Sequence, residues 1–109
     1  MAYDEQLADR VREVLKRRRG VSEKKMFGGL AFLVNGHMAC GVIGDDLMVR
    51  VGPDAYEAAL EKTGCRPMDF TGRPMKGMVY VGPGGHRRKP SLEAWVKQGV
   101  SYARSLPPK

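Results

Sequence analysis

Residues Met26–Val51 read MFGGLAFLVNGHMACGVIGDDLMVRV. This stretch carries the fold. Asn35-Gly36 sits between two apolar runs, and both residues tolerate the positive φ of a type I′ turn. A two-residue loop there sets Val34 against His37, Leu33 against Met38, Phe32 against Ala39 and Ala31 against Cys40. A second turn at Asp45-Asp46 sets Ile43 against Met48, Val42 against Val49 and Cys40 against Val51. Side chains along a strand alternate between faces. One face then holds Ala31, Leu33, Met38, Cys40, Val42, Leu47, Val49 and Val51. The other holds Leu30, Phe32, Val34, His37, Ala39, Gly41, Ile43, Met48 and Arg50.

Upstream, Asp4 to Arg19 predicts an amphipathic helix, with Leu7, Val11, Val14 and Leu15 on one stripe. Acids open it and the Lys16-Arg17-Arg18-Arg19 run closes it, which suits the helix dipole. Gly20 is a natural stop. Val21 to Lys25 reads as a link to the sheet. Downstream, Pro53 suits the first position of a short helix ending at Gly64. Met68-Asp69-Phe70 and Gly77–Val81 read as strands about a Gly72-Arg73-Pro74 turn. Gly82–Lys89 reads as a loop. Ser91 is the expected N-cap of a last helix that carries Leu92, Trp95, Val96, Gly99, Val100, Ala103 and Leu106 and stops at Pro107-Pro108. The order is α-β-β-β-α-β-β-α. Consecutive hairpins make the sheet antiparallel, and the class is α+β, a two-layer sandwich.

The chain has 109 residues, 42% hydrophobic and 28% charged. That is one globular domain, large enough to bury a core without staples. Cys40 and Cys65 are the only cysteines, too few for a disulfide framework. The charged N-terminus MAYDEQLADR lacks the apolar run of a signal peptide. No apolar stretch approaches the ~20 residues of a membrane span. A cytoplasmic location is expected. The net charge of +7 favours acidic partners or nucleic acid, through the segments at 16–19, 24–25 and 87–89.

Reactive constellations are scarce. His37 and Cys40 have H-x-x-C spacing, but a structural zinc needs four ligands. Residues three apart in a regular strand point to opposite faces, so these two should not converge. The same geometry argues against a Cys–His nucleophilic pair. Asp45 and Asp46 are turn residues, and Asp69 has no acidic partner for two-carboxylate chemistry. Gly82-Pro83-Gly84-Gly85 lacks the G-K-[ST] of a phosphate loop. No enzyme, metal or cofactor is expected.

Lys25-Met26-Phe27-Gly28-Gly29, LAFLVNGHMACGV, LMVRVGPDAYEAAL, GRPMKGMVYV and the Trp95 helix together make an ordered set. Over roughly residues 10–107 it resembles the TfoX/Sxy N-terminal domain family. The resemblance implies an antiparallel α+β fold. It also implies kinship with regulators of bacterial natural competence, which are thought to act with a transcription activator. Those regulators carry a further C-terminal domain. This chain ends at Leu106-Pro107-Pro108-Lys109 and resembles a stand-alone version. The resemblance supplies no catalytic residues.

Two functions from different classes follow: a non-catalytic regulatory or protein-interaction module, and a nucleic-acid-binding domain. Two candidate sites accompany them. Leu30, Phe32, Val34, Ile43 and Met48 share the second sheet face and form an expected homodimer interface. Arg87, Arg88, Lys89 and Ser91 form an expected anion or nucleic-acid contact before the last helix.

Overall fold

Asp4 starts the first element by capping it. Its carboxylate accepts from the amides of Gln6 (2.9 Å) and Leu7 (3.2 Å), satisfying donors that a helix start leaves open. The computed structural model describes residues 3–26, 28–69 and 74–107. Phe27, Phe70 and the Gly72-Arg73 part of the expected turn lie outside them. Helix α1 spans Glu5–Leu15, and its Leu7, Ala8, Val11 and Leu15 are buried. It ends before the basic run. The strands are β1 Val21–Met26, β2 Gly29–Val34, β3 His37–Ile43, β4 Asp46–Arg50, β5 Cys65–Asp69 and β6 Pro74–Val81. Helix α2 is Tyr56–Leu60, α3 is Pro83–His86 and α4 is Lys89–Arg104.

These strands form one antiparallel sheet in the order β1-β2-β3-β4-β6-β5. The α+β class and the antiparallel sheet hold as expected. Two elements exceed the expectation. Val21–Met26 is an edge strand on β2 and not a link. Its Ser22-Glu23-Lys24-Lys25 carries no apolar alternation, because an edge strand keeps charges in water to discourage further pairing. Pro83–His86 forms a short helix where a loop is expected.

The first hairpin has the expected register. Asn35 (φ 53°) and Gly36 (φ 85°) take the left-handed conformation, and Val34 meets His37 while Leu33 meets Met38. One residue later the register changes. Phe32 meets Cys40, so Ala39 is an extra residue in β3. Such a bulge reverses the inside–outside parity of everything beyond it. The second turn also moves. It is Gly44-Asp45, with Ile43 opposite Asp46, Val42 opposite Leu47 and Cys40 opposite Val49. Gly44 (φ 56°) supplies the left-handed residue.

The bulge corrects both face assignments. Leu30, Phe32, Val34, Cys40, Val42, Leu47, Val49 and Val51 share one face, together with Val79 and Val81. That face forms the core with Leu7, Val11 and Leu15 of α1, Ala59 of α2, and Leu92, Trp95, Val96 and Val100 of α4. Burying each large apolar side chain contributes about 1.5–3 kcal/mol. Helix α4 crosses β2, β3 and β4. Its backbone approaches the sheet closely at Gly99, where a Cβ would stand 2.2 Å from the carbonyl oxygen of Ala39. The helix therefore seats its one glycine on the bulge.

Candidate functional site

The opposite face of the sheet holds a second, smaller cluster. Met48 and Met78 are buried there, and Met38, Ile43 and Tyr80 pack on them half-buried. All five come from strands. Gly41 makes room for the arrangement: its missing Cβ would lie 2.6 Å from Met48 Cε. At one margin Arg66 Nη1 and Nη2 donate to Asp46, and the same guanidinium stacks 5.1 Å over the Tyr80 ring. Exposed Lys24 stands on β1, opposite Ala31.

The expected interface set is thereby divided. Leu30, Phe32 and Val34 lie in the core at 3% exposure or less, under the helices. Only Ile43 and Met48 belong to the opposite face, whose cluster draws on no helix among the described residues. The cause is the Ala39 bulge, which a strict period of two does not anticipate. Met38, Met78 and Tyr80 take the vacated places. Unbroken alternation sets Met38 on the face away from Ile43, and the bulge brings the two together.

The structure places the second candidate set around the start of α4. Arg88 is the N-cap, and no side chain caps the helix. Ser91 is not the cap. The helix begins earlier, where the Leu92 amide donates to the Arg88 carbonyl (3.0 Å). Half-buried Ser91 instead lines a cavity of about 250 Å³ with Lys62, Thr63, Gly84, Gly85, Ala94 and Trp95. The cation beside this cavity is Lys62, whose Nζ sits 5.0 Å over the Trp95 ring. Lys62 belongs to the turn after α2, so no local sequence signal joins it to Ser91. Arg87, Arg88 and Lys89 are exposed and do not line the cavity.

Arg10 ties this segment to α1. Its Nη2 donates to the carbonyls of His86 and Arg87, both at 2.9 Å. Lys89 lies close enough to Glu13 to help hold its carboxylate below the usual range, behind the larger effect of its hydrogen bond from Lys16. At the other end of α1, Arg104 Nη2 donates to the Arg19 carbonyl (3.1 Å). The basic segments at 16–19 and 87–89, distant in sequence, thus both abut α1. Lys24 and Lys25 remain on the β1 edge. Arg12 links that strand to α1 through Glu23, at 2.8 and 2.9 Å.

Neither histidine meets a cysteine. His37 and Cys40 lie on the same sheet face, since the bulge cancels the expected opposition. His37 Nε2 is hydrogen-bonded to the Pro107 carbonyl. Cys40 is fully buried, and desolvation pushes its thiol up to about 12. His86 is buried, and its Nε2 donates to the Asp45 carbonyl (2.9 Å), holding the β3–β4 turn against α3. Cys65 is half-buried; burial raises its thiol, and Lys62 and Arg66 oppose that. Among the described residues, no three His, Cys, Asp or Glu side chains converge as metal ligands. No helix among them is long and apolar enough to cross a membrane.

The class defined by this geometry is a small α+β domain with helices on one face of an antiparallel sheet and a methionine-rich cluster on the other. The family model described as TfoX N-terminal domain matches residues 13–103. The chain belongs to the TfoX N-terminal domain family. No curated protein matches it, and neither does any solved structure.

Proposed function

We propose that the chain is a regulatory binding module of the bacterial cytoplasm. In this reading it performs no covalent chemistry and docks a protein partner on the sheet face opposite the core. The observation that carries the reading is the strand-only cluster of Met38, Ile43, Met48, Met78 and Tyr80. Half-buried Met38, Ile43 and Tyr80 form its surface over buried Met48 and Met78, and apolar patches left at a surface mark contact sites. Thioether side chains are flexible and polarizable, and suit surfaces that must adapt to a partner. The chain's charge of +7 selects a partner with an acidic contact surface. Family membership supports a regulatory role, and a transcription activator is the partner class implied by the competence regulators.

The test is a titration of the domain with such an activator, read by the methionine methyl NMR signals. Met38, Met48 and Met78 should shift together, and Met38→Lys with Ile43→Lys should remove binding while leaving the melting temperature nearly unchanged. Binding that survives the double substitution would sink the reading. A second copy of the chain is the competing occupant. Sedimentation distinguishes it, because a homodimer on this face would dissociate in the same variant.

A second reading is supported by the gathering of basic segments 16–19 and 87–89 around α1. It takes the surface over α1 as a contact for nucleic-acid phosphates.

A further inference from the structure

We infer that the cleft between the end of α1 and the β1–β2 hairpin binds a small amphipathic anion, an organic carboxylate with an apolar body. The cleft has a volume of about 320 Å³, at the lower end of the range for small-molecule sites. Its walls are of two kinds. Half-buried Val21 and the margins of core residues Leu15 and Phe32 (3% and 1% exposed) supply a narrow apolar floor, and Arg12, Lys16 and Arg18 stand around it together with the carboxylate of Glu23.

The three cations are not equivalent. Arg12 is held by Asp9 (2.8 Å) and by Glu23. Lys16 is held by Glu13 (2.6 Å). Arg18 has no ion-pair partner among the described residues, and its Nε is buried without an acceptor. A buried N–H left without an acceptor is costly, and an incoming oxygen relieves that cost. Nε and the adjacent Nη form one edge of a planar fork that matches a carboxylate in two parallel hydrogen bonds.

The end of α1 carries a partial negative charge that opposes an anion. Two features offset it. The Leu15 carbonyl is already taken by the Arg18 amide (2.9 Å), and Lys16-Arg17-Arg18-Arg19 places four positive charges there against Glu13 and Glu23. The apolar floor is what selects the ligand class. A bare phosphate or a nucleic-acid backbone uses the cations and leaves the apolar floor at half-buried Val21 uncovered. A carboxylate bearing a short hydrocarbon body uses both.

The experiment is an amide NMR titration of the whole chain with octanoate, with 1-octanol and inorganic phosphate run in parallel. Octanoate should saturate, moving the signals of residues 15, 18, 21 and 32 together. Octanol and phosphate should bind at least about tenfold more weakly, as each lacks one of the two contributions. Arg18→Gln should weaken octanoate by a similar factor. Arg18→Lys keeps the charge and loses the fork, so it should also weaken binding, with thermal melting to establish that both variants are folded. Arg17→Gln, one residue away and outside the cleft, removes only a more distant charge and should weaken octanoate much less than Arg18→Gln. The proposal is overturned by unsaturable octanoate shifts, by phosphate or octanol binding as tightly as octanoate, or by Arg17→Gln costing as much as Arg18→Gln.

Discussion

Cys40 shows how burial turns one side chain into a pH-dependent contribution to stability. It lies at 0% exposure in the core, and desolvation raises its thiol from 9.0 to about 12. The folded chain therefore keeps a proton that the unfolded chain releases above pH 9. The sign follows directly: the folded state binds more protons in this window, so stability falls as pH rises. The slope attributable to this one group reaches about 1.4 kcal/mol per pH unit between the two values. Urea unfolding of the wild type and of Cys40→Ala across about pH 8–11 checks it. The wild-type curve should fall more steeply, and parallel curves would show that Cys40 does not carry the difference.

Among elements, the packing of α4 on β3 organises the rest. The bulge at Ala39 gives β3 an extra residue, and Gly99 lets α4 settle against it with no side chain in the gap. Gly99→Ala would force a Cβ to within 2.2 Å of the Ala39 oxygen and 3.0 Å of its carbonyl carbon. Neither atom can move without shifting the sheet or the helix. An overpacked core of this kind typically costs about 1–3 kcal/mol, more than the small gain in helix propensity from Gly to Ala. Chemical denaturation of Gly99→Ala should show a lower midpoint. An unchanged or raised midpoint would mean that α4 does not approach the bulge this closely. The bulge also decides the surface, since it carries Phe32 and Val34 into the core and leaves Met38 beside Ile43.

For the molecule as a whole, the charge of +7 is distributed unevenly, with segments 16–19 and 87–89 brought against one helix. If that surface meets a phosphate backbone, duplex DNA binding should weaken steeply with salt. Changing Arg17 and Arg19 to glutamine should then lower the log–log salt slope by about one for each phosphate the variant no longer neutralises. A fluorescence-anisotropy titration at two salt concentrations measures this. No binding at low salt would leave the methionine-rich face as the domain's binding surface. The two surfaces respond to different substitutions, so the outcomes do not blur into one another.

The amino-acid sequence by itself determined the class of fold, the first hairpin and the principal helices. Asn35-Gly36 forces its turn through local backbone sterics, and the α4 pattern of Leu92, Trp95, Val96, Gly99, Val100 and Ala103 returns every three or four residues whatever lies around it. The tertiary structure alone decided which strand residues face the helices. A period of two carries parity along a strand only until a residue is added, and Ala39 bears no mark that sets it apart from its neighbours. Its carbonyl lies against Gly99, far along the chain on α4, a contact that no local pattern announces. Edge strand β1 was hidden for a related reason: its partner, not its own composition, makes it a strand. The candidate sites were hidden by distance too, since Lys62 meets Trp95 and Arg10 meets Arg87 only after the chain has folded.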